Sequence, residues 1–284
     1  MSDVYDNRRC ELGEGPLWHP ERQQLFWFDI LSMQLLTQRD GAPWRWQFDE
    51  IVTAAGCIDR DRLLIASETR LFTFDLETGD ETYVCALESE DGSTRSNDGR
   101  ADRQGGFWIG TMGKQAEEGK GAIYRWYDGE LRKVVADITI PNAICFTPDG
   151  SAAYYACSRA KTIWRVALDA DGWPADTPEV FLDLSAEDFA PDGAVTDAEG
   201  NLWNAQWGGY RVAVYSPNGD FLAAHDIPAA HTSCPAFGGP DLSTVYVTTA
   251  LENLPPEEAA RSENGMTYQF DSGAKGLPEP RVEI

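Results

Sequence analysis

Short apolar or aromatic runs, each preceded by a turn rich in Asp, Pro and Gly, recur along the whole chain. The phrase reads HPERQQLFWFDI from position 19, DRDRLLIAS from 59, DRQGGFWIG from 102, TPDGSAAYYA from 147, DAEGNLWNA from 197 and GPDLSTVYVTT from 239. Each copy predicts a turn feeding a strand. A second phrase follows each first one: LLTQRDGA, LFTFDLETG, IYRWYDGE, IWRVALDADG, VAVYSPNG and TYQFDSGAKG. In these, apolar and polar residues alternate and end in a tight DG, TG or NG turn, the pattern of a β-hairpin. With Phe26, Leu64, Trp108, Tyr154, Leu202 and Val245 as equivalent positions, the mean period is about 44 residues, the length of a four-stranded propeller blade. The expected fold is all-β: a six-bladed β-propeller with a central channel, formed by residues 1–284 as a single domain. Only LENLPPEEAARSEN at 251 departs from strand grammar, and it reads as an insertion loop; a second insert, GKQAEEGKG, lies near 113.

Charge and composition narrow the function. The chain has 284 residues and 47 Asp+Glu against 23 Lys+Arg, a formal net charge of −24 that argues against nucleic acid as a partner. With 42% hydrophobic and 11% aromatic residues it can still bury a large core. The N-terminal stretch has no apolar segment of the export type, and Ile51 to Ile58 falls far short of the roughly 20 apolar residues that cross a bilayer. Six cysteines without a CxxC pair read as reduced thiols, and with no export signal the expected compartment is the cytoplasm. No membrane partner is expected, and the expected assembly is a monomer or weak homo-oligomer. The three histidines form no zinc-type cluster.

Innermost propeller strands converge on the axis, so residues at one offset in each repeat should meet there. Ten to twelve residues before the strand markers stand Glu14, Thr53, Asn97, Asn142, Asp192 and Cys234. Four carry amide or carboxylate oxygens within Gly- and Pro-containing segments, where turn formation is the ordinary role of such residues. Carboxylates and amides aimed at one axis need a compensating charge. Glu14, Asn142 and Asp192 are therefore candidate ligands for one divalent cation. Oxygen donors suit Ca, Mg or Mn, and Zn and Fe also accept carboxylates. Three protein ligands leave positions open for water and substrate.

In order, GEGPLW at 13, RSNDGRADRQGGFWIGTM at 95, PNAICFTPDG at 141 and PDGAVTDAEGNLWNAQWGG at 191 resemble the gluconolactonase, regucalcin and luciferin-regenerating-enzyme family. The resemblance runs from about Glu11 to about Thr249. It implies a six-bladed propeller that holds one divalent ion and hydrolyses sugar-acid lactones. Its metal ligands correspond to Glu14, Asn142 and Asp192, and its substrate-binding R-x-N-D-G segment to Arg95, Asn97 and Asp98. One departure stands out. An acidic residue that contacts substrate shortly after GTM in animal regucalcin is replaced here by Gly113, Lys114 and Gln115, with Glu117 and Glu118 as nearby substitutes.

The implied reaction is attack of water on a neutral aldonolactone (glucono, galactono, xylono or arabinono) to give an aldonic acid. The metal and Arg95 would stabilise the charge that develops on oxygen. Either the metal activates the water or Asp192 takes its proton as the catalytic base. Trp18 and Trp207 are candidate aromatic walls for the sugar, although blade packing is the commoner role of such residues. His231 and Cys234 approach the same axis. No GxSxG or Ser/His/Asp arrangement is present. Non-enzymatic calcium binding of the regucalcin type is the alternative, followed by a protein-binding scaffold and hydrolysis of other esters.

Overall fold

In a computed structural model that describes residues 2–284, the chain forms 24 strands and one four-residue helix. Strand β1 (Asp3–Asp6) precedes the first repeat, formed by β2 (Gly13–His19), β3 (Gln24–Asp29), β4 (Gln34–Arg39) and β5 (Ala42–Gln47). The second comprises β6 (Val52–Cys57), β7 (Arg62–Ser67), β8 (Arg70–Asp75) and β9 (Glu81–Ala86), and the third β10 (Thr94–Ala101), β11 (Phe107–Gly113), β12 (Gly121–Tyr127) and β13 (Glu130–Ile138). The fourth comprises β14 (Pro141–Phe146), β15 (Ala152–Cys157), β16 (Thr162–Ala167) and β17 (Glu179–Asp183). Then follow β18 (Ala190–Thr196), β19 (Leu202–Trp207), β20 (Arg211–Tyr215), β21 (Phe221–Asp226), β22 (His231–Gly238), β23 (Thr244–Ala250), α1 (Pro256–Ala259) and β24 (Thr267–Asp271).

All pairings between these strands are antiparallel, and the fold is an all-β propeller. The expectation of six separate blades is corrected. Hydrogen bonding closes four four-stranded blades, whereas the last two repeats form one eight-stranded sheet. The physical reason is a single backbone pairing, Trp207 with His231, which joins β19 to β22 across the repeat boundary. The N-terminal β1 completes this sheet by pairing with β24.

In the third and fifth copies of the recurring turn, one Asp ties the turn to its strand. Asp102 Oδ1 accepts from the amides of Gln104 and Gly106 at 3.0 and 2.8 Å, and its Oδ2 from Trp108 Nε1 at 3.1 Å. Asp197 does the same for Glu199, Asn201 and Trp203. One side chain thus ties the turn to the aromatic residue of the strand that follows, a local motif that lets Asp outcompete other turn residues.

Burial runs from the axis outward. Strands β6 and β14 are buried throughout, while the outer β5 and β21 are almost wholly exposed. Apolar clusters fill the seams between neighbouring repeats, such as Phe26, Phe28, Leu63 and Phe72 between the first and second. Each such side chain contributes about 1.5–3 kcal/mol on burial. The innermost strands β2, β6, β10, β14, β18 and β22 stand side by side in a closed ring.

Every strand of that ring carries a register irregularity against its neighbour in the same sheet. The irregularities lie between Glu14 and Leu17, Val52 and Ala54, Ser96 and Gly99, Asn142 and Cys145, Pro191 and Ala194, and Thr232 and Cys234. A β-bulge bends the strand and re-aims a side chain. In the first repeat it is built on Gly15, whose φ of +54° and a Cβ position only 2.5 Å from the Thr53 carbonyl oxygen leave no room for another residue. At the C-terminal ends of the inner strands, Glu279 pairs with the buried Arg100, and the Val282 amide donates to the Cys57 carbonyl at 2.7 Å. No helix among the described residues is long and apolar enough to cross a membrane.

Candidate functional site

All six axis positions read from the sequence lie in or beside these bulges, and all are buried. Four of them, Glu14, Asn97, Asn142 and Asp192, line one cavity of about 800 Å³ together with Arg95. Thr53 and Cys234 do not. The Thr53 hydroxyl donates to Ser96 Oγ at 2.9 Å, and Cys234 packs behind Gly193. Trp18 is also outside the cavity, stacked on Tyr246 with ring centroids 5.6 Å apart. Trp207 lines the cavity and stacks on His231 at 4.0 Å. Glu117 and Glu118 are exposed and absent from the lining, where Lys114, Gln115 and Ala116 stand instead.

A chain of hydrogen bonds fixes the polar wall. Arg95 Nη1 donates to Asn97 Oδ1 and to the Ser96 carbonyl, both at 2.8 Å. Asn97 Nδ2 donates to Asn142 Oδ1 and to the Pro141 carbonyl, both at 2.9 Å. Asn142 Nδ2 donates to Ser158 Oγ at 2.8 Å, and that hydroxyl donates to the Pro191 carbonyl at 2.6 Å. Three inner strands are thereby held in one arrangement. Arg95 uses a single nitrogen for this, which leaves Nη2 and Nε as donors for a ligand.

The carboxylates are less well served. Glu14 Oε2 accepts from the Gly15 amide at 3.0 Å, and neither Glu14 nor Asp192 forms an ion pair among the described residues. Burial, followed by the charge of Asp98, raises the proton affinity of Glu14. Burial, followed by the charges of Glu14 and Asp98, pushes Asp192 well above the usual carboxylate range. Burial lowers the Arg95 value, with Glu252 and Glu14 opposing that change. Two unpaired buried carboxylates beside an amide oxygen with a spare lone pair form a donor set that fits a hard divalent cation. Among the described residues no three His, Cys, Asp or Glu side chains gather as a metal cluster, so ligation here would need the Asn142 oxygen.

Three further residues shape the site. Asn204 Nδ2 holds the carbonyls of Asp192 and Gly193 at 3.0 and 3.3 Å, bracing the bulge from β19. Asp98 accepts the Ile144 amide at 2.7 Å, tying β10 to β14. Glu252 enters the cavity from the loop after β23. Asn204 falls in a recurring strand phrase and Glu252 in the irregular insertion, so neither stood out as part of an axial set.

Residues 12–251 match the family described as the SMP-30/Gluconolactonase/LRE-like region. A Rhizobium meliloti protein provisionally named a sugar lactone lactonase is 39% identical over 280 residues, covering 96% of this chain and 94% of that protein. The pentonolactonase of Haloferax volcanii is 32% identical over 97% of this chain and 96% of its own length. Among solved structures, the calcium-binding protein regucalcin of Agrobacterium tumefaciens superposes with a TM-score of 0.98 at 39% identity, covering 100% of this chain and 98% of that one. With the family match spanning most of its length and close relatives along nearly all of it, the chain belongs to the SMP-30/gluconolactonase/LRE-like family.

Proposed function

We propose that this chain is an enzyme that hydrolyses sugar lactones to sugar acids, using one divalent cation held by Glu14, Asn142 and Asp192. The observation that carries this reading is the sharing of one cavity by two unpaired buried carboxylates and an arginine with free donors. The names of the Rhizobium and Haloferax relatives support the substrate class. The name of the Agrobacterium neighbour supports a calcium-type site.

A cation bound there would supply Lewis-acid polarisation of the lactone carbonyl. Arg95 donates from Nη2 or Nε to the ring or carbonyl oxygen, a charge-assisted bond that strengthens as negative charge develops. Asn97 holds the Arg95 head in place and faces the substrate. Asp192 orients the attacking water or takes its proton. As water oxygen bonds to the carbonyl carbon, the bond to the ring oxygen breaks and that oxygen ends as a hydroxyl. The acid formed ionises and releases a proton.

The same reading treats residues 1–284 as one cytoplasmic domain that acts on a small neutral molecule. Six unpaired cysteines support a reducing compartment. Hydrolysis is checked with a pH indicator on several aldonolactones, using metal-stripped protein and then protein reloaded with Ca, Mg, Mn, Zn or Fe. Metal-dependent acid release is expected. Tight ion binding without turnover on any lactone would favour ion storage instead.

A further inference from the structure

We infer that Glu252 is a specificity-determining residue, which accepts hydrogen bonds from the hydroxyl groups of the sugar while Arg95 binds an oxygen of the same substrate. This rests on the lactone-hydrolase reading and adds to it the feature by which a polyhydroxylated ring is told from a bare lactone.

The backbone of Glu252 is fixed although it begins an irregular loop. Its amide donates to the Glu11 carbonyl at 2.8 Å, as does that of Leu251 at 3.0 Å. Its own carbonyl accepts from His231 Nδ1 at 2.9 Å. That imidazole stacks on Trp207 with centroids 4.0 Å apart, and Trp207 lines the same cavity. The residue is therefore anchored at the pairing that joins β19 to β22.

The carboxylate is left without a partner. Among the described residues it makes no hydrogen bond or ion pair, whereas Glu258 in the same loop engages Asn264, Tyr210 and Arg261. It is half-buried and lines the same cavity as Arg95, Glu14 and Asp192, each of which feels its charge. A half-buried carboxylate with no donor is costly unless a ligand supplies one. Sugar hydroxyls are such donors, and one carboxylate accepts two or more of them. Among the described residues no three acidic side chains gather as a metal cluster, so Glu252 does not join Glu14 and Asp192 as a third carboxylate ligand.

The test compares wild type with Glu252→Gln, which keeps the shape of the side chain. Substrates are a polyhydroxylated aldonolactone and the hydroxyl-free γ-butyrolactone, with calcium affinity and melting temperature measured in parallel. The expected result is a loss of about 10- to 100-fold in kcat/KM on the sugar lactone, the range of a hydrogen bond to a charged group. With calcium saturating, butyrolactone turnover should change less than about twofold, and calcium affinity should fall by less than about tenfold, the effect of one nearby charge that is not itself a ligand. Equal loss on both lactones, unchanged turnover on both, or lost calcium binding would each overturn the assignment. Calorimetry with D-gluconate against 4-hydroxybutyrate reads the same contrast without turnover. Wild-type inactivity on every lactone would thus sink the hydrolase reading, while the calorimetric contrast would still decide the role of Glu252. Gluconate that binds both proteins equally, or neither, would overturn it.

Discussion

Asn97 Nδ2 donates to Asn142 Oδ1 at 2.9 Å, so the proposed substrate-facing residue and the proposed amide ligand of the metal are held by one another. Arg95 bonds to the other end of the Asn97 amide at 2.8 Å. Removal of either residue should therefore have separable effects. Arg95→Ala should leave calcium affinity within about twofold of wild type and lower kcat/KM about 100-fold, the range of a charge-assisted bond in a partly dry site. Asn97→Ala frees Asn142 to rotate and should weaken calcium as well, by about 3- to 10-fold, a bracing effect of the kind seen around metal ligands. Calorimetry beside a lactone assay reads both. Equal calcium loss in the two variants would contradict the arrangement.

Stability of the metal-stripped protein should depend on pH in an unusual direction. Burial raises both Glu14 and Asp192 above their values in the unfolded chain. Between those two limits the folded state holds more protons than the unfolded state, so this contribution is complete at low pH and disappears as pH rises. The melting temperature without metal should fall from about pH 5 to about pH 8, and added calcium should restore more at the upper end. The general repulsion of an acidic protein acts in the same direction, so the control is the Glu14→Gln, Asp192→Asn double variant, in which the fall should be shallower. An identical slope in that variant would refute the assignment.

Close packing at the fifth bulge gives a purely steric check. A Cβ on Gly193 would stand 2.3 Å from Cys234 Sγ and 2.5 Å from its Cβ. Gly193→Ala should cost about 1–3 kcal/mol of stability by overpacking. It should also displace the adjacent Asp192 and reduce turnover. Adding Cys234→Ala removes only the sulfur contact, so rescue should be partial. Thermal melts of the single and double variants decide the matter, and a fully stable Gly193→Ala protein would contradict the packing.

The far end of the ring depends on another contact. Arg100 is buried and pairs with Glu279 from the C-terminal segment. Glu279→Ala leaves that guanidinium with Asp98 as its remaining nearby carboxylate and should destabilise the protein by up to about 3–5 kcal/mol. Because this pair lies away from the cavity, kcat of the remaining folded protein should be unchanged. Denaturant unfolding with parallel kinetics measures both, and a drop in kcat at full folding would indicate coupling between the two ends.

Much of the cavity lining was legible because the propeller repeats its grammar. The recurring turn locates each strand, and an offset of ten to twelve residues before the strand markers selects Glu14, Asn97, Asn142 and Asp192, which do share a cavity. The offset also selected Thr53 and Cys234, since it reports position on an inner strand and not the direction of the side chain, which the bulges set. The blade count failed for a related reason. The Trp207 to His231 pairing is made by backbone across a repeat boundary and leaves no pattern of side chains. Glu252 lay in a stretch whose prolines and acids read as a loop, and only its backbone anchors bring it to the cavity.

Asp192→Ala, assayed at once for calcium binding by calorimetry and for lactone hydrolysis by proton release, tests whether one carboxylate serves both metal and reaction. Both should be lost together, with turnover down by about 100-fold or more and a melting temperature showing that the fold persists. Hydrolysis undiminished in this variant would contradict the site at its centre.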